Sequence, residues 1–318
     1  MKQAMAVALL LAVLVGCSGG SNPFSDNGGD DGGDPDPGIT PTTPVTVPTG
    51  IAGNVTSVSY DADAGTLVVR GLSLDEVPFE AQYTRKPGMD RGGYMAFSAQ
   101  EDALDRHFTG FAKESGSVRA AVIGSPGPRN RSLMGIHYER DGAYTPPDVN
   151  ETSGMVSYAG SYTAVTNVGD PNGQDLIRRG LNPEIQPVQA WVVEGMIFLN
   201  ADFADNSVEG NIYNRKLYDT EGNEQADLPS IVLAITSIEA NGTFEGVAEY
   251  EGQVGTIGEY AGVFGGIGAR DVAGGVRLDE WDGEGDPLNF ENETEYGIFV
   301  LRQCGLPDDS PICDLVNP

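Results

Sequence analysis

The side chains able to do chemistry are few and unevenly placed. Three cysteines, Cys17, Cys304 and Cys313, and two histidines, His107 and His137, are the whole stock of soft ligands and neutral-pH bases in 318 residues. Neither histidine has a second one at metal-ligating spacing, so a zinc cage lacks its parts. No Gly-x-Ser-x-Gly elbow or His-Glu-x-x-His helix occurs, and both histidines are read as structural. Carboxylates are abundant, with 47 Asp and Glu against 18 Lys and Arg and a formal charge of −29. In so acidic a chain carboxylate pairs arise by chance, which leaves glycoside hydrolysis without an anchor. Phosphates are repelled by such a surface, so nucleic acid is excluded as a partner.

The densest acidic run, Asp279 to Glu293, puts Asp282, Glu284, Asp286 and Glu293 at positions 1, 3, 5 and 12 of a calcium-type loop. Position 6 is Pro287 instead of glycine, and strands, not helices, flank the run. A solvated loop is therefore expected, with no metal and no cofactor. Arg178-Arg179 is a rare basic pair among acids; it could seat an anion, but a surface or ion-pair role is expected. Gly266 and Gly268 begin a dinucleotide-like pattern, yet position 271 is Asp, and no Gly-Lys-Ser/Thr phosphate loop exists. The expectation is a binding protein, not an enzyme.

Cys17 has a different setting. Lys2, the apolar run Ala4 to Val15, and Leu14-Val15-Gly16-Cys17 form an export signal, because the run is shorter than the ~20 residues a membrane-spanning helix needs. The ending resembles a bacterial lipobox, which implies removal of residues 1–16 and acylation of Cys17 by chains such as palmitate. Two or three acyl chains give a stable membrane anchor where one does not. Export into an oxidising compartment leaves Cys304 and Cys313 as a disulfide pair across a turn-rich octapeptide. Residues 18–50 hold five Asp and no Lys or Arg, with few apolar side chains. Such a segment is expected to be a disordered linker.

The remaining chain must be positioned by strands. Residues 51–140 carry ten basic and eleven acidic residues, whereas residues 141–318 carry seven and thirty-one. That asymmetry, with Pro146-Pro147 as a hinge, divides the chain into a β-rich module over 51–149 and a second module over 150–318. In the first, Val55–Tyr60 and Thr66–Arg70 flank a turn, Gly93–Ser98, Ser117–Ile123 and Leu133–Glu139 read as strands, and Glu101–Phe111 has helical character. In the second, strands are expected at Met155–Val165, Val188–Glu194, Met196–Ala204, Ser207–Lys216, Ile231–Ile238, Thr243–Tyr250, Ile257–Phe264, Gly274–Leu278 and Tyr296–Arg302. Asn241-Gly242 is the strongest short hairpin signal. The fold class is all-β, with a C-terminal antiparallel up-and-down barrel of about eight strands; a sandwich is the alternative.

Three motifs in the second module resemble the barrel domain of the transferrin-binding protein B family of surface lipoproteins. Tyr158-Ala-Gly-Ser-Tyr162 is similar to its opening strand. Leu199–Ile212 resembles its Asp-Phe strand, tight turn and glycine-bearing return. Phe264–Val276 is similar to its Phe-x-Gly-Pro-x-Ala-x-Glu-x-Gly-Gly signature, with Asp271 in the place of Glu, no proline, and Ala273 as an extra residue. The resemblance covers about residues 150–303. It implies an outer-membrane lipoprotein that binds a ligand or partner protein in iron or haem acquisition, the partner being an iron carrier, haem or an outer-membrane receptor. The alternative is a structural or adhesive envelope barrel without a small-molecule ligand. The motifs are mainly structural and name no ligand-binding residue.

Overall fold

Period-two alternation and closely spaced turn residues turn most of the chain into strands. The computed structural model describes residues 45–73, 78–128, 131–149, 154–177, 182, 185–252, 255–279 and 290–316. The signal run, Cys17, most of the expected linker, Arg178-Arg179, and Asp282, Glu284 and Asp286 lie outside these residues.

The first seven strands are β1 (Val55–Asp61), β2 (Thr66–Leu72), β3 (Pro78–Arg85), β4 (Met95–Ala99), β5 (Phe108–Ser115), β6 (Val118–Ser125) and β7 (Leu133–Arg140). They form one antiparallel meander in chain order. The β1–β2 turn is closed by Gly65 at φ 62° and by the Ala64 N–H donating to Asp61 Oδ1 at 2.8 Å. The sheet curls until its ends approach, where the Asn54 N–H donates to the Met134 carbonyl at 2.9 Å.

Eight further strands close the barrel: β9 (Met155–Asp170), β10 (Gln189–Asp202), β11 (Ser207–Tyr218), β13 (Ile231–Ser237), β14 (Thr243–Tyr250), β15 (Thr256–Ile267), β16 (Asp271–Leu278) and β17 (Glu295–Gln303). Each pairs antiparallel with the next, and β17 returns to β9. Closure leaves none of these eight strands at an edge and sets the sandwich aside. Short β12 (Glu224–Leu228) hangs on β11, and β8 (Tyr144–Thr145) lies parallel on β15. The three family-like motifs become the first barrel strand, the β10–β11 hairpin and the β15–β16 hairpin. In the last, Gly266, Gly268 and Ala269 all take positive φ around the turn.

Several expectations need correction. Glu101–Phe111 is not helical: residues 101–105 form turns in which Asp102 Oδ1 accepts from the Leu104 N–H and Asp105 Oδ2 from the Asp102 N–H. These local acceptors compete with helical bonds, and β5 starts at Phe108. Val188–Glu194 and Met196–Ala204 are one strand, β10, whose register against β11 shifts around Gly195. The first module also reaches back before residue 51. Thr49–Ala52 forms α1 with Ile51 fully buried, and Val45 and Val47 pack against the core.

The core has three layers. Phe97, Val69, Leu67 and Ile123 fill the concave side of the first sheet. Tyr158, Tyr162, Phe244, Phe264 and Phe299 fill the barrel. Between them, Tyr94, Phe111, Val122, Ile136 and Tyr138 of the first sheet meet Val165, Ala261, Val263, Ala273, Ile298 and Val300 on the outside of the barrel. Strands β15 to β17 are therefore buried on both faces, which is why they read as continuous apolar runs and not as alternation.

Candidate functional site

The barrel interior is occupied by its own side chains. The Phe264 ring lies 5.1 Å from Phe203, 5.2 Å from Phe244 and 5.4 Å from Tyr158, distances of favourable aromatic packing. Glycine admits these rings: a Cβ on Gly297 would stand 2.0 Å from the Tyr162 hydroxyl, and one on Gly274 2.3 Å from the Phe299 ring. Deep in the barrel, Arg215 Nη2 donates to Glu295 Oε2 at 2.6 Å, Tyr162 donates to Glu295 Oε1 at 2.8 Å, and Arg215 Nη1 donates to the Pro229 carbonyl at 2.7 Å. Burial pushes the Tyr162 phenol well above 10, so it stays a proton donor to the carboxylate. The clefts among the described residues lie instead among loops and along the seam where the first sheet meets the barrel.

One cleft of about 400 Å3 opens on that seam. The β3–β4 connection supplies Arg85, Lys86 and Arg91, the loop after β9 supplies Asp175, and the β11–β12 turn supplies Thr220 to Gly222. Each cation has an anion. Arg85 pairs bidentately with Asp90 at 2.5 and 2.6 Å, Lys86 with Asp175 at 2.5 Å, and Arg91 with Glu194 at 3.2 Å while its guanidinium covers the Tyr218 ring. Asp175 joins the two sheets: fully buried His107 donates to it from Nε2 at 2.9 Å. Burial alone pushes the Asp175 carboxyl up. Hydrogen bonds from His107, Lys86 and Ser98 outweigh that and hold it well below the ordinary carboxylate range. His107 thus works as a structural latch, and the sequence carries no local sign of its partner, 68 residues away.

A larger cleft, about 740 Å3, lies between the β6–β7 loop, the end of β9 and residues 290–293. Asn167 pins it, donating from Nδ2 to the Asn292 carbonyl at 2.7 Å and accepting from the Thr294 N–H at 2.8 Å. Glu293 is buried there. Among the described residues no group of three or more His, Cys, Asp or Glu is placed to hold a metal ion. Cys304 and Cys313 are bonded as a disulfide with Cα atoms 5.5 Å apart. His137 lies on β7 with Nε2 3.7 Å from Glu139. No described helix is long and apolar enough to cross a membrane.

No protein-family model matches the chain, and no curated protein matches it either. Among solved structures it is similar to a variant of transferrin-binding protein B from Haemophilus parasuis Hp5, with 12% identity and a TM-score of 0.35, over 76% of this chain and 51% of that one. It is also similar to the isotype 1 transferrin-binding protein B of serogroup B Neisseria meningitidis, with 12% identity and a TM-score of 0.33, over 77% of this chain and 50% of that one. The chain spans about half the length of these solved chains.

Proposed function

We propose that the chain is a lipid-anchored outer-membrane protein that binds a partner on the loops and the seam of its two sheets, in iron or haem acquisition. The filled barrel carries this reading: with its interior occupied by Tyr158, Tyr162, Phe244, Phe264 and Phe299, the scaffold is rigid and recognition falls to its rim and connections. The lipobox-like Leu14-Val15-Gly16-Cys17 and the polar linker support display away from a membrane. The iron-carrier partner is taken from the motif resemblance, and it makes this a binding protein, not an enzyme.

A soluble form beginning at Gly38 is the reagent, since Val45 and Val47 belong to the core. Immobilised, it should bind an iron-carrier protein or haem saturably, and exchanging the 171–188 loop should abolish capture. Absence of saturable binding, together with cell-to-cell adhesion that depends on the protein, would favour the adhesive envelope alternative instead. Replacing Cys17 by Ser in the full chain should release it from membranes. Retention of that variant with its signal cleaved would refute the anchor.

A further inference from the structure

The barrel wall has a break between β9 and β17. Strands β9 and β17 pair Phe299 with Tyr162 and Arg302 with Ala159, and no pairing joins the residues between them. A side chain of the first sheet occupies the break: the Tyr94 hydroxyl donates to the Ser161 carbonyl at 2.8 Å and accepts from the Val300 N–H at 3.0 Å. Beside this wedge lies a cavity of about 240 Å3, bounded by β5, β9, β17 and the loop that the disulfide closes. Lys113, Arg302, Ser161 and Ser310 line it, with Glu114 and the exposed Asp308.

These two cations differ from those of the seam cleft. Lys113 Nζ sits 4.9 Å from the centre of the Tyr94 ring and has no carboxylate within ion-pair distance among the described residues. Arg302 Nε is buried without a hydrogen-bond partner. Asp271, facing Arg302 across the β16–β17 ladder, attracts it without closing an ion pair. Its carboxylate is engaged by Ser115 and Ser117 of the β5–β6 turn. Of the two acids that line the cavity, Glu114 leans on Arg119 at 3.7 Å and Asp308 is exposed. Burial pulls the Lys113 ammonium down from its ordinary value, as expected of a cation without a counter-charge. In a chain of charge −29, two half-buried cations around one cavity are closed into no ion pair among the described residues, and together they favour a bound negative charge.

We propose that this cavity binds a small oxyanion, a carboxylate or a phosphate, held by the Lys113 ammonium and the Arg302 guanidinium, with the Ser161 and Ser310 hydroxyls as further donors. The site stands independently of the partner-binding reading. Its cover is the loop from Cys304 to Cys313, so the disulfide keeps one wall in place.

The full mature chain in detergent, titrated calorimetrically with inorganic phosphate and with citrate in chloride-poor buffer, tests this. One saturable site is expected for at least one probe. Lys113→Met and Arg302→Gln should each weaken it about tenfold or more, the scale of one lost charge-assisted hydrogen bond, and Lys113→Arg should retain it. Opening the cover with Cys304→Ser and Cys313→Ser should also weaken it. Preference for citrate marks a carboxylate site and preference for phosphate a phosphoryl site, and either supports the proposal. No saturable binding of either probe, or binding unchanged in the folded variants, would overturn it. If Lys113→Met does not fold, Arg302→Gln decides.

Discussion

Arg215 and Glu295 are both essentially excluded from solvent, and their pairing tethers β11 to β17 through the barrel. A buried pair of this kind gains little over a well-packed apolar pair, but losing one member strands a charge, at a cost of about 3–5 kcal/mol. Arg215→Met should therefore destabilise the protein by about that amount in denaturant unfolding, whereas Arg215→Met combined with Glu295→Gln should recover about half of it. Equal losses in the single and double variants would show that Glu295 is not stranded. Asp175 gives a second prediction at this scale. Its carboxyl is depressed on folding, so its stabilisation is fully present above the unfolded carboxylate value of ~3.9 and is lost as pH falls below that. Between about pH 5 and pH 2 the melting temperature of the wild type should fall faster than that of Asp175→Asn. Parallel curves would mean that the contacts from His107, Lys86 and Ser98 do not select the ionised form.

Among elements, the C-terminal tail depends on its covalent closure. After β17 the chain turns through Gly305 to Pro311 and ends in α2 (Cys313–Val316), a single helical turn too short to persist alone. Removing the Cys304–Cys313 bond, which closes a loop of about ten residues, should cost ~2.5–3 kcal/mol in the chain-entropy model. Exchange of tail amides should rise far more than that of β9, and equal acceleration in both would indicate global unfolding instead. The elements differed in how far their sequences revealed them. Hairpins with turn chemistry were legible: Asn241-Gly242 joins β13 to β14, with the Gly242 N–H bonded to the Glu239 carbonyl at 2.8 Å, and Ile197, Leu199 and Ala201 point inward as their alternation implies. Strand β3 was not legible, since it opens on Pro78 and shows little burial. Nor was β5, where Asp102 and Asp105 obscured the strand start. The seam contacts were out of reach for another reason. Lys86 meets Asp175 across 89 residues, and nothing local in either segment encodes that meeting.

At the scale of the molecule, the charge asymmetry between residues 51–140 and 141–318 suggested two modules, but the packing makes them interdependent. The outer face of β15 to β17 presents Ala261, Val263, Ala273, Ile298 and Val300, and the first sheet covers all five. The approach is close: a Cβ on Gly275 would lie 2.8 Å from Ile136, and one on Gly124 2.7 Å from Val165. Tyr94, next to β4, also supplies the hydroxyl that bridges the break between β9 and β17. Large apolar patches of this kind drive association when uncovered. Residues 150–318 expressed alone should therefore bind a hydrophobic dye and self-associate, while the form beginning at Gly38 stays monodisperse and unfolds in one calorimetric transition. Tyr94→Phe removes both bonds at the break and leaves buried backbone groups unpaired, at a cost of about 1–3 kcal/mol. Amide exchange in that variant should quicken first at residues 159–161 and 300–302. A soluble, cooperatively folding barrel fragment with native exchange at those residues would show that the barrel closes without the first sheet.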